Sequence, residues 1–503
     1  MKNLARKNIL VLGLGASGLA LARWCARCGA NVTVADTRPA PPQLASLQAS
    51  EPAANFVNAV MDGALLAGVA FDLVLKSPGL SPASTSGVIA AAQAQRIPCG
   101  NELSLFAQAL ADLKDDQAYS PRIIGITGTN GKTTVTSLAG QLIQRAGKSV
   151  AVAGNIGPTL LDTLAEKLDE KAAGNAPVLP EVWVLELSSF QLEGVTNFEP
   201  DVATVLNITQ DHLDWHETLP AYIAAKAHVY GSGGLMLLNR DDPLVMSALP
   251  VQVKGKPTRS YLTFGCDEPK RPGDYGIETV NGMAWLVRAA QTDETIKRRK
   301  AEELVLHIQR LMPLEALRIH GRHNATNALA ALGLAVAVGC PLAPMLHGLR
   351  EYRGEPHRVE SVAVLDGVEY FDDSKGTNVG ATVAALAGLG AERKLVLILG
   401  GEGKGQDFSP LADPVSRYAR AVVLVGRDAP LIRAALQGVQ VELLDAASMQ
   451  EAVSMAAQLA QSGDAVLLSP ACASFDMFDN YQHRAQVFCD AVQGLAEDQG
   501  AVL

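Results

Sequence analysis

The chain has 503 residues, 48% of them hydrophobic and 19% charged, with a formal net charge of −10. That length exceeds one ordinary hydrophobic core and points to about two to four domains, while the composition suits a folded globular protein and excludes extended disorder. The acidic balance argues against a nucleic-acid partner, although a local basic site for a small anion stays open.

The N-terminus, Met1-Lys2-Asn3, runs straight into a short apolar strand, Asn8 to Leu12, without a signal-peptide pattern. That strand ends in Gly13-Leu-Gly15-Ala-Ser-Gly18 and opens a helix, and Asp36 closes the next strand. The spacing predicts a diphosphate held on backbone N–H groups at a helix N-terminus, with Asp36 where a ribose-binding acid is expected. A dinucleotide-dependent dehydrogenase is therefore the direct alternative, because NAD and a UDP-sugar satisfy such a loop equally well. Seven scattered cysteines do not make a disulfide framework, and Cys25-x-x-Cys28, inside the first helix, is not expected to be redox-active.

The polar stretch Asp112 to Pro121 loses the apolar rhythm and marks a first boundary. A second strand, Arg122 to Ile126, runs into Gly128-Thr-Asn-Gly131-Lys132-Thr133-Thr134 and then a helix. This is a phosphate loop in kind: amides cradle the phosphates, Lys132 reaches the outer ones, and Thr133 is available to Mg²⁺. Ile126 stands where the first glycine of the usual pattern would be. A chain with this loop in its middle is not an ordinary dehydrogenase. The apolar strand Val182 to Leu185 ends in Glu186, at the strand end where ligand sites of open α/β sheets collect. Lys226 lies on an apolar helix, Ala221 to Tyr230, an ordinary place for a snorkelling lysine.

Residues 258–318 alternate in short segments that read as strands, and Lys297-Arg298-Arg299-Lys300 reads as a solvated face or loop. The uncharged stretch Ala328 to Leu346 is broken by Gly339, Pro341 and Pro344. It predicts a buried helix of about one dozen residues, not a membrane span, which needs roughly 20. A second boundary falls near Arg350 to Pro356, and the strand Lys394 to Leu399 runs into a third glycine-rich turn. Strands alternating with helical segments predict an α/β chain of three domains. They are a Rossmann-like N-terminal domain at residues 1–118, a central P-loop ATPase-like domain at 119–354, and a C-terminal Rossmann-like domain at 355–503.

The loop from Gly128 to Thr134 resembles that of the Mur ligase superfamily, and further blocks follow in that family's order. They are Gly154-Asn155-Ile156-Gly157, Leu185 to Glu193, Asn207 to His212, Ala225-Lys226 and Gly321 to Ala328. Pro356-His357-Arg358, Asp373 to Asn378, Gly400 to Gly405 and Leu468 to Phe475 complete the series. The blocks at 185–193, 373–378 and 468–475 resemble the D-glutamate-adding branch, whereas the folate polyglutamylating ligases share mainly the P-loop and general ATP-site features.

The resemblance implies an ATP-dependent amide ligase of cytoplasmic peptidoglycan precursor synthesis, joining D-glutamate to UDP-N-acetylmuramoyl-L-alanine through an acyl phosphate. Gly128, Thr129, Asn130, Gly131, Lys132, Thr133, Thr134, Asn324, Asn327, Arg358 and Asp373 would bind ATP. Ser17, Asp36, Thr37, Arg38, Ser77, Gly79, Asn155, Ser188 and Gln191 would bind the UDP-sugar, and Lys375, Thr377, Lys404, Ser474 and Phe475 the D-glutamate. Lys132, Glu186, His212 and Lys226 would be catalytic. Two Mg²⁺ ions are implied, held by Thr133, Glu186, His212 and a Lys226 carbamylated by CO₂. His216 departs from the tyrosine carried there by some relatives. A monomer is expected as well, and the acidic balance and the broken uncharged stretch predict neither nucleic-acid binding nor membrane insertion.

Overall fold

The computed structural model describes residues 4–174, 178–251, 259–291, 306–319, 321–391 and 393–498. The basic run 297–300 and part of the alternating region lie outside the described residues.

In the first sheet, β1 (Asn8–Leu12), β2 (Asn31–Asp36), β3 (Asn55–Asn58), β4 (Leu73–Lys76) and β5 (Cys99–Gly100) are ordered β3-β2-β1-β4-β5. All neighbours run parallel. The strand order reverses between β1 and β4, the place where such sheets bind ligands. The second sheet holds β6 (Arg122–Thr127), β7 (Val150–Gly154), β8 (Val182–Glu186), β9 (Val202–Val205), β10 (Leu235–Asn239) and β11 (Tyr261–Phe264). Its order β11-β10-β9-β6-β8-β7 sets β6 between β8 and β9, so the phosphate loop leaves β6 beside the end of β8.

The alternating segments form a small sheet of β12 (Tyr275–Val280), β13 (Met283–Gln291) and β14 (Leu306–Pro313). The last sheet contains β15 (Glu360–Leu365), β16 (Val368–Asp372), β17 (Leu395–Gly400), β18 (Ala419–Val425), β19 (Glu442–Asp445) and β20 (Ala465–Leu468). It is ordered β15-β16-β20-β17-β18-β19, with only the edge strand β15 antiparallel to its neighbour. The central strands are unbroken apolar runs because helices cover both sheet faces: Ile9 to Leu12, Val182 to Leu185 and Leu395 to Leu399 are all 0% exposed.

The chain folds into two compact units. The first comprises Met1–Ile208, Trp215–Met312 and Ala328–Leu349; the second comprises Thr209–Asp214, Pro313–Asn327 and Arg350–Leu503. Within the first unit the first and second sheets share one hydrophobic core that runs from Ile9 through Trp183 to Val245. Helix Ala16–Arg27 meets helix Leu160–Ala172 there, and Arg27 forms a bidentate pair with Asp169 at 2.6 and 2.9 Å. The uncharged stretch becomes the end of helix Arg322–Ala337, a left-handed Gly339 (φ +84°) and helix Leu342–Glu351. No described helix is long and apolar enough to cross a membrane.

Candidate active site

The first glycine loop leaves β1 and turns into helix Ala16–Arg27, with Gly15 at the N-cap. A Cβ on Gly18 would lie 2.0 Å from the Gly13 carbonyl oxygen, so the turn closes only on glycine. Asp36, 2% exposed, anchors this loop. One oxygen accepts the Leu14 N–H at 2.8 Å, and the Arg38 guanidinium and amide donate to the carboxylate at 2.8–2.9 Å. Hydrogen bonding from Arg38 is the main cause that holds the Asp36 pKa down at about 2. Both oxygens are thus committed to the chain itself, whereas a dehydrogenase would aim such an acid at a ribose. Thr37, Arg38 and Gly79 are exposed around the loop, Ser17 is half-buried, and Ser77 lies buried against Gly13.

The phosphate loop is shaped by two left-handed glycines, Gly128 (φ +153°) and Gly131 (φ +83°), the latter capping helix Lys132–Arg145. Asn207, just past β9, braces it. Its carbonyl and side-chain oxygens accept the N–H groups of Thr129 (2.9 Å) and Asn130 (2.8 Å), and its amide donates to the Asn130 carbonyl (3.0 Å). Lys132 Nζ curls back onto the carbonyls of Gly128 (2.9 Å) and Thr129 (2.8 Å), while Thr133 and Thr134 are buried in the first helical turn.

Glu186 ends β8 next to β6 and is 1% exposed. Its Oε1 accepts the exposed Asn155 side chain at 2.7 Å, while its Oε2 has no hydrogen-bond partner. A buried carboxylate oxygen without a donor costs free energy unless a cation or proton meets it. Lys226, also 1% exposed, points from helix Leu219–Ala227 to the same loop. Its Nζ donates to the Gly128 carbonyl at 2.9 Å and sits 4.5 Å from the Tyr222 ring centroid. Lys132, Thr133, Glu186, Asn155 and Lys226 therefore gather at one end of the second sheet.

Ser188 and Gln191 close a reciprocal capping box on the short helix Ser189–Leu192, so each side chain is engaged with the other. Beside it, His216 Nε2 meets the Ser189 hydroxyl at 2.9 Å and stacks on Phe190 at 5.7 Å, with Trp215 and Tyr222 completing the cluster. The Tyr222 hydroxyl reaches the Thr129 hydroxyl at 3.0 Å.

The remaining expected residues fall in the second unit. His212 adopts φ +54°, with its N–H donating to Asp211 at 2.9 Å, and Asp211 in turn accepts the Asn378 side chain at 3.3 Å. Three loops converge there. The Ala471 N–H donates to the Gly376 carbonyl at 3.0 Å, and Glu402 exchanges two 2.9 Å backbone bonds with Ala473. A cavity of about 50 Å³ is lined by His212, Thr377, Lys404 and Ala473. Lys404 lies 5.7 Å from the ring centroid of the exposed Phe475, Lys375 lies 5.2 Å from that of Tyr481, and Ser474 is buried. Asn327 donates to Asn324 at 3.2 Å. Asp373 is 6% exposed, accepts the Ser469 hydroxyl at 2.6 Å, and is pushed up to about 7 by burial, with Arg358 acting against the rise.

Sequence reasoning quoted Asn207 within a family block but gave no role to it, nor to Tyr222 or Arg484. Asn207 follows directly on the apolar β9, and Tyr222 precedes Lys226 by one helical turn on the same face, which were usable signals. Arg484, 1% exposed, donates to the carbonyls of Ser374 (2.7 Å) and Cys472 (3.0 Å), a tie between distant loops with no local signature.

Residues 7–100 match the Mur ligase MurD-like N-terminal domain, 126–335 the Mur ligase middle domain, and 357–472 the Mur ligase glutamate ligase domain. A UDP-N-acetylmuramoylalanine–D-glutamate ligase of Albidiferax ferrireducens is 66% identical over 100% of this chain and 99% of its own. Another so named, from a Polaromonas species, is 60% identical with 100% of both chains covered. Among solved structures, a MurF ligase from Thermotoga maritima in complex with ADP superposes with a TM-score of 0.56 at 16% identity, covering 99% of this chain and 97% of its own. MurF from Acinetobacter baumannii gives 0.57 at 17% identity over 98% and 92%; these two likenesses concern the fold. With three matching domains in order and full-length relatives at such identity, the chain belongs to the Mur ligase family.

Proposed function

We propose that this chain is the ATP-dependent ligase that adds D-glutamate to UDP-N-acetylmuramoyl-L-alanine, releasing ADP and phosphate, in peptidoglycan precursor synthesis. The observation that carries this reading is full-length identity of 55–66% to proteins bearing that name. A fold with two phosphate-type loops, one per parallel sheet, is what a reaction between a UDP-sugar and ATP requires.

In this reading the acceptor carboxylate attacks the γ-phosphate of ATP, forming an acyl phosphate and ADP. The neutral amine of D-glutamate then attacks the acyl carbon, the amide forms, and phosphate leaves. Lys132 exchanges its loop carbonyls for phosphate oxygens, while the amides from Gly128 to Thr134 hold the chain of phosphates. Thr133 and Glu186 would hold one Mg²⁺. Hydroxyl and carboxylate oxygens are the hard donors that ion prefers, and the unpartnered Glu186 Oε2 fits it. When bound there, the ion would neutralise charge between two anions that otherwise repel. The resemblance assigns His212 and a carbamylated Lys226 to a second ion. The carbamate would form by attack of the neutral Lys226 amine on CO₂, and the buried amine already lies at the phosphate loop beside which Glu186 ends its strand.

By resemblance Asn324, Asn327, Arg358 and Asp373 are the ATP contacts of the second unit, and Ser17, Thr37, Arg38, Ser77, Gly79 and Asn155 line the UDP-sugar site, with Asp36, Ser188 and Gln191 acting through the loops they hold. Lys404, Thr377, Lys375, Ser474 and Phe475 receive the two D-glutamate carboxylates. The division at residues 1–118, 119–354 and 355–503 is proposed on the three large sheets, and a cytoplasmic monomer on the resemblance. The deciding experiment is ADP release with substrates omitted one at a time. ADP and phosphate should appear in step with product only when ATP, acceptor and D-glutamate are all present; hydride transfer to a nicotinamide without ADP would overturn the proposal.

A further inference from the structure

Helix Glu102–Gln117 begins at the edge of the first sheet and carries none of the residues assigned above to a substrate. Asn101 is its N-cap. The cap is complete: Asn101 Oδ1 accepts the Ser104 N–H at 3.0 Å, and Ser104 Oγ accepts the Asn101 N–H at 2.8 Å. The side-chain amide is left over from capping and donates instead to the Gln191 carbonyl at 2.9 Å, a buried bond between residues 90 apart.

Glu102, the first residue of the helix, is 1% exposed. Its Oε1 accepts the Leu161 N–H at 3.1 Å, at the start of helix Leu160–Ala172. The Leu160 amide and the Ser17 hydroxyl, the latter at the start of helix Ala16–Arg27, lie near enough to the same carboxyl to lower its pKa against burial, but the Leu161 N–H is its hydrogen-bond donor. The positive ends of two helices thus meet at one buried carboxyl, that of Leu160–Ala172 and that of the helix the carboxyl's own residue opens, with the start of helix Ala16–Arg27 close by. Its Oε2 has no hydrogen-bond partner, and burial pushes the group up to about 7. An apolar side chain would fill this space at lower cost; what the carboxyl supplies is a set of directional ties.

Each tie ends on a segment that carries a proposed acceptor residue. Leu161 closes the Gly154–Thr159 loop that holds Asn155, and Gln191 belongs to the Ser188 cap. Both of these segments belong to the second sheet, while Asn101 and Glu102 follow directly on β5 of the first, whose glycine loop brings Ser17 near the carboxyl. We propose that Asn101 and Glu102 are positioning residues that hold the acceptor-binding loops of the two sheets in register. The inference rests on the assigned reaction and deepens it, since a UDP-sugar must span from the glycine loop to the phosphate loop in one alignment. Misplacement by about 1 Å at such a distance costs up to about 100-fold.

The test uses full-length protein and three variants, with circular dichroism and calorimetric ADP binding as controls for the fold. Glu102→Ala should raise KM for UDP-N-acetylmuramoyl-L-alanine by about 10-fold or more, with KM for ATP and D-glutamate held within about twofold. Glu102→Gln keeps an oxygen for Leu161 and should restore that constant to within about threefold. Asn101→Ser retains a capping hydroxyl but falls short of the Gln191 carbonyl, and should raise the same constant by about 3- to 10-fold. An acceptor KM unmoved in these variants, or all three constants rising together, overturns the proposal. If Glu102→Ala does not fold, Asn101→Ser decides it by the same criterion. Wild-type protein run alongside separates the two claims. No acceptor-dependent ADP from the wild type sinks the assigned reaction and the positioning role with it, whereas normal wild-type turnover with unshifted variants sinks the positioning role alone.

Discussion

Replacing Asp36 with asparagine removes one charge and changes little else in shape. In the folded protein that charge receives the Leu14 N–H and the Arg38 amide and guanidinium, and its pKa lies at about 2 against 3.8 for an ordinary aspartate. The difference corresponds to about 2.4 kcal/mol. Arg38 is 52% exposed, so solvent screening brings the expected effect to about 1–2 kcal/mol. A depressed carboxylate contributes stability that is fully present above its unfolded pKa and lost as pH falls through the folded one. Asp36→Asn should therefore destabilise by a constant amount from pH 8 to pH 5, and the gap from wild type should narrow from pH 4 downward. Urea titrations of both proteins across that range, read by circular dichroism, give the comparison. Acceptor affinity should fall in parallel, because the Leu14 end of the glycine loop loses its anchor. Unchanged stability at neutral pH with a large loss of acceptor affinity would refute this reasoning and make Asp36 a direct substrate contact.

Glu186→Gln should lower kcat by at least about 100-fold while ADP binding in the absence of Mg²⁺ stays near wild type, since the carboxylate's proposed role is toward the ion; Mg²⁺ titrations of turnover check this, and an unaltered Mg²⁺ dependence counts against it. Lys226→Ala should abolish most turnover with the fold intact and respond partly to small carboxylic acids, and near-wild-type rates in CO₂-depleted buffer would end the carbamate proposal. Lys375→Ala or Lys404→Ala should raise KM for D-glutamate by roughly 10- to 150-fold, the worth of a charge-assisted hydrogen bond, with the acceptor constant little changed; the reverse pattern reassigns the second unit to another substrate. Asp373, raised by burial to about 7, favours folding when protonated, so its contribution is full below the unfolded pKa and lost as pH rises through 7. Asp373→Asn should accordingly gain thermal stability relative to wild type at pH 8 more than at pH 5, as melting curves at the two values would show.

Much of the architecture was legible because local chemistry dictates it. Aliphatic runs ending in glycine must be strands entering tight turns, and two of the three runs singled out become β1 and β6 with the expected helix after the turn. The third becomes β17, but its glycine turn leads to a short one-turn helix, Ser409–Leu411, before helix Ala412–Tyr418; the turn is tied to Ala473 and not capped onto a phosphate-type helix. From its apolar helix Lys226 read as an ordinary snorkelling lysine, whereas the structure buries its amine on the Gly128 carbonyl, a contact that spans 98 residues and leaves no local trace.

The sequence by itself determined the α/β class, the position of both phosphate-type loops, and Glu186 at a strand end, since each depends on neighbours within a few residues. Tertiary structure alone decided that residues on the first and second sheets share one core, that Asp36 spends its oxygens on Arg38 and Leu14, and that Glu186 keeps one oxygen unpartnered. It alone brought Thr377, Lys404 and His212 around one cavity. The physical reason is burial: which polar atoms find partners depends on strand order and on loops that meet across long stretches of chain, and periodicity carries no record of either.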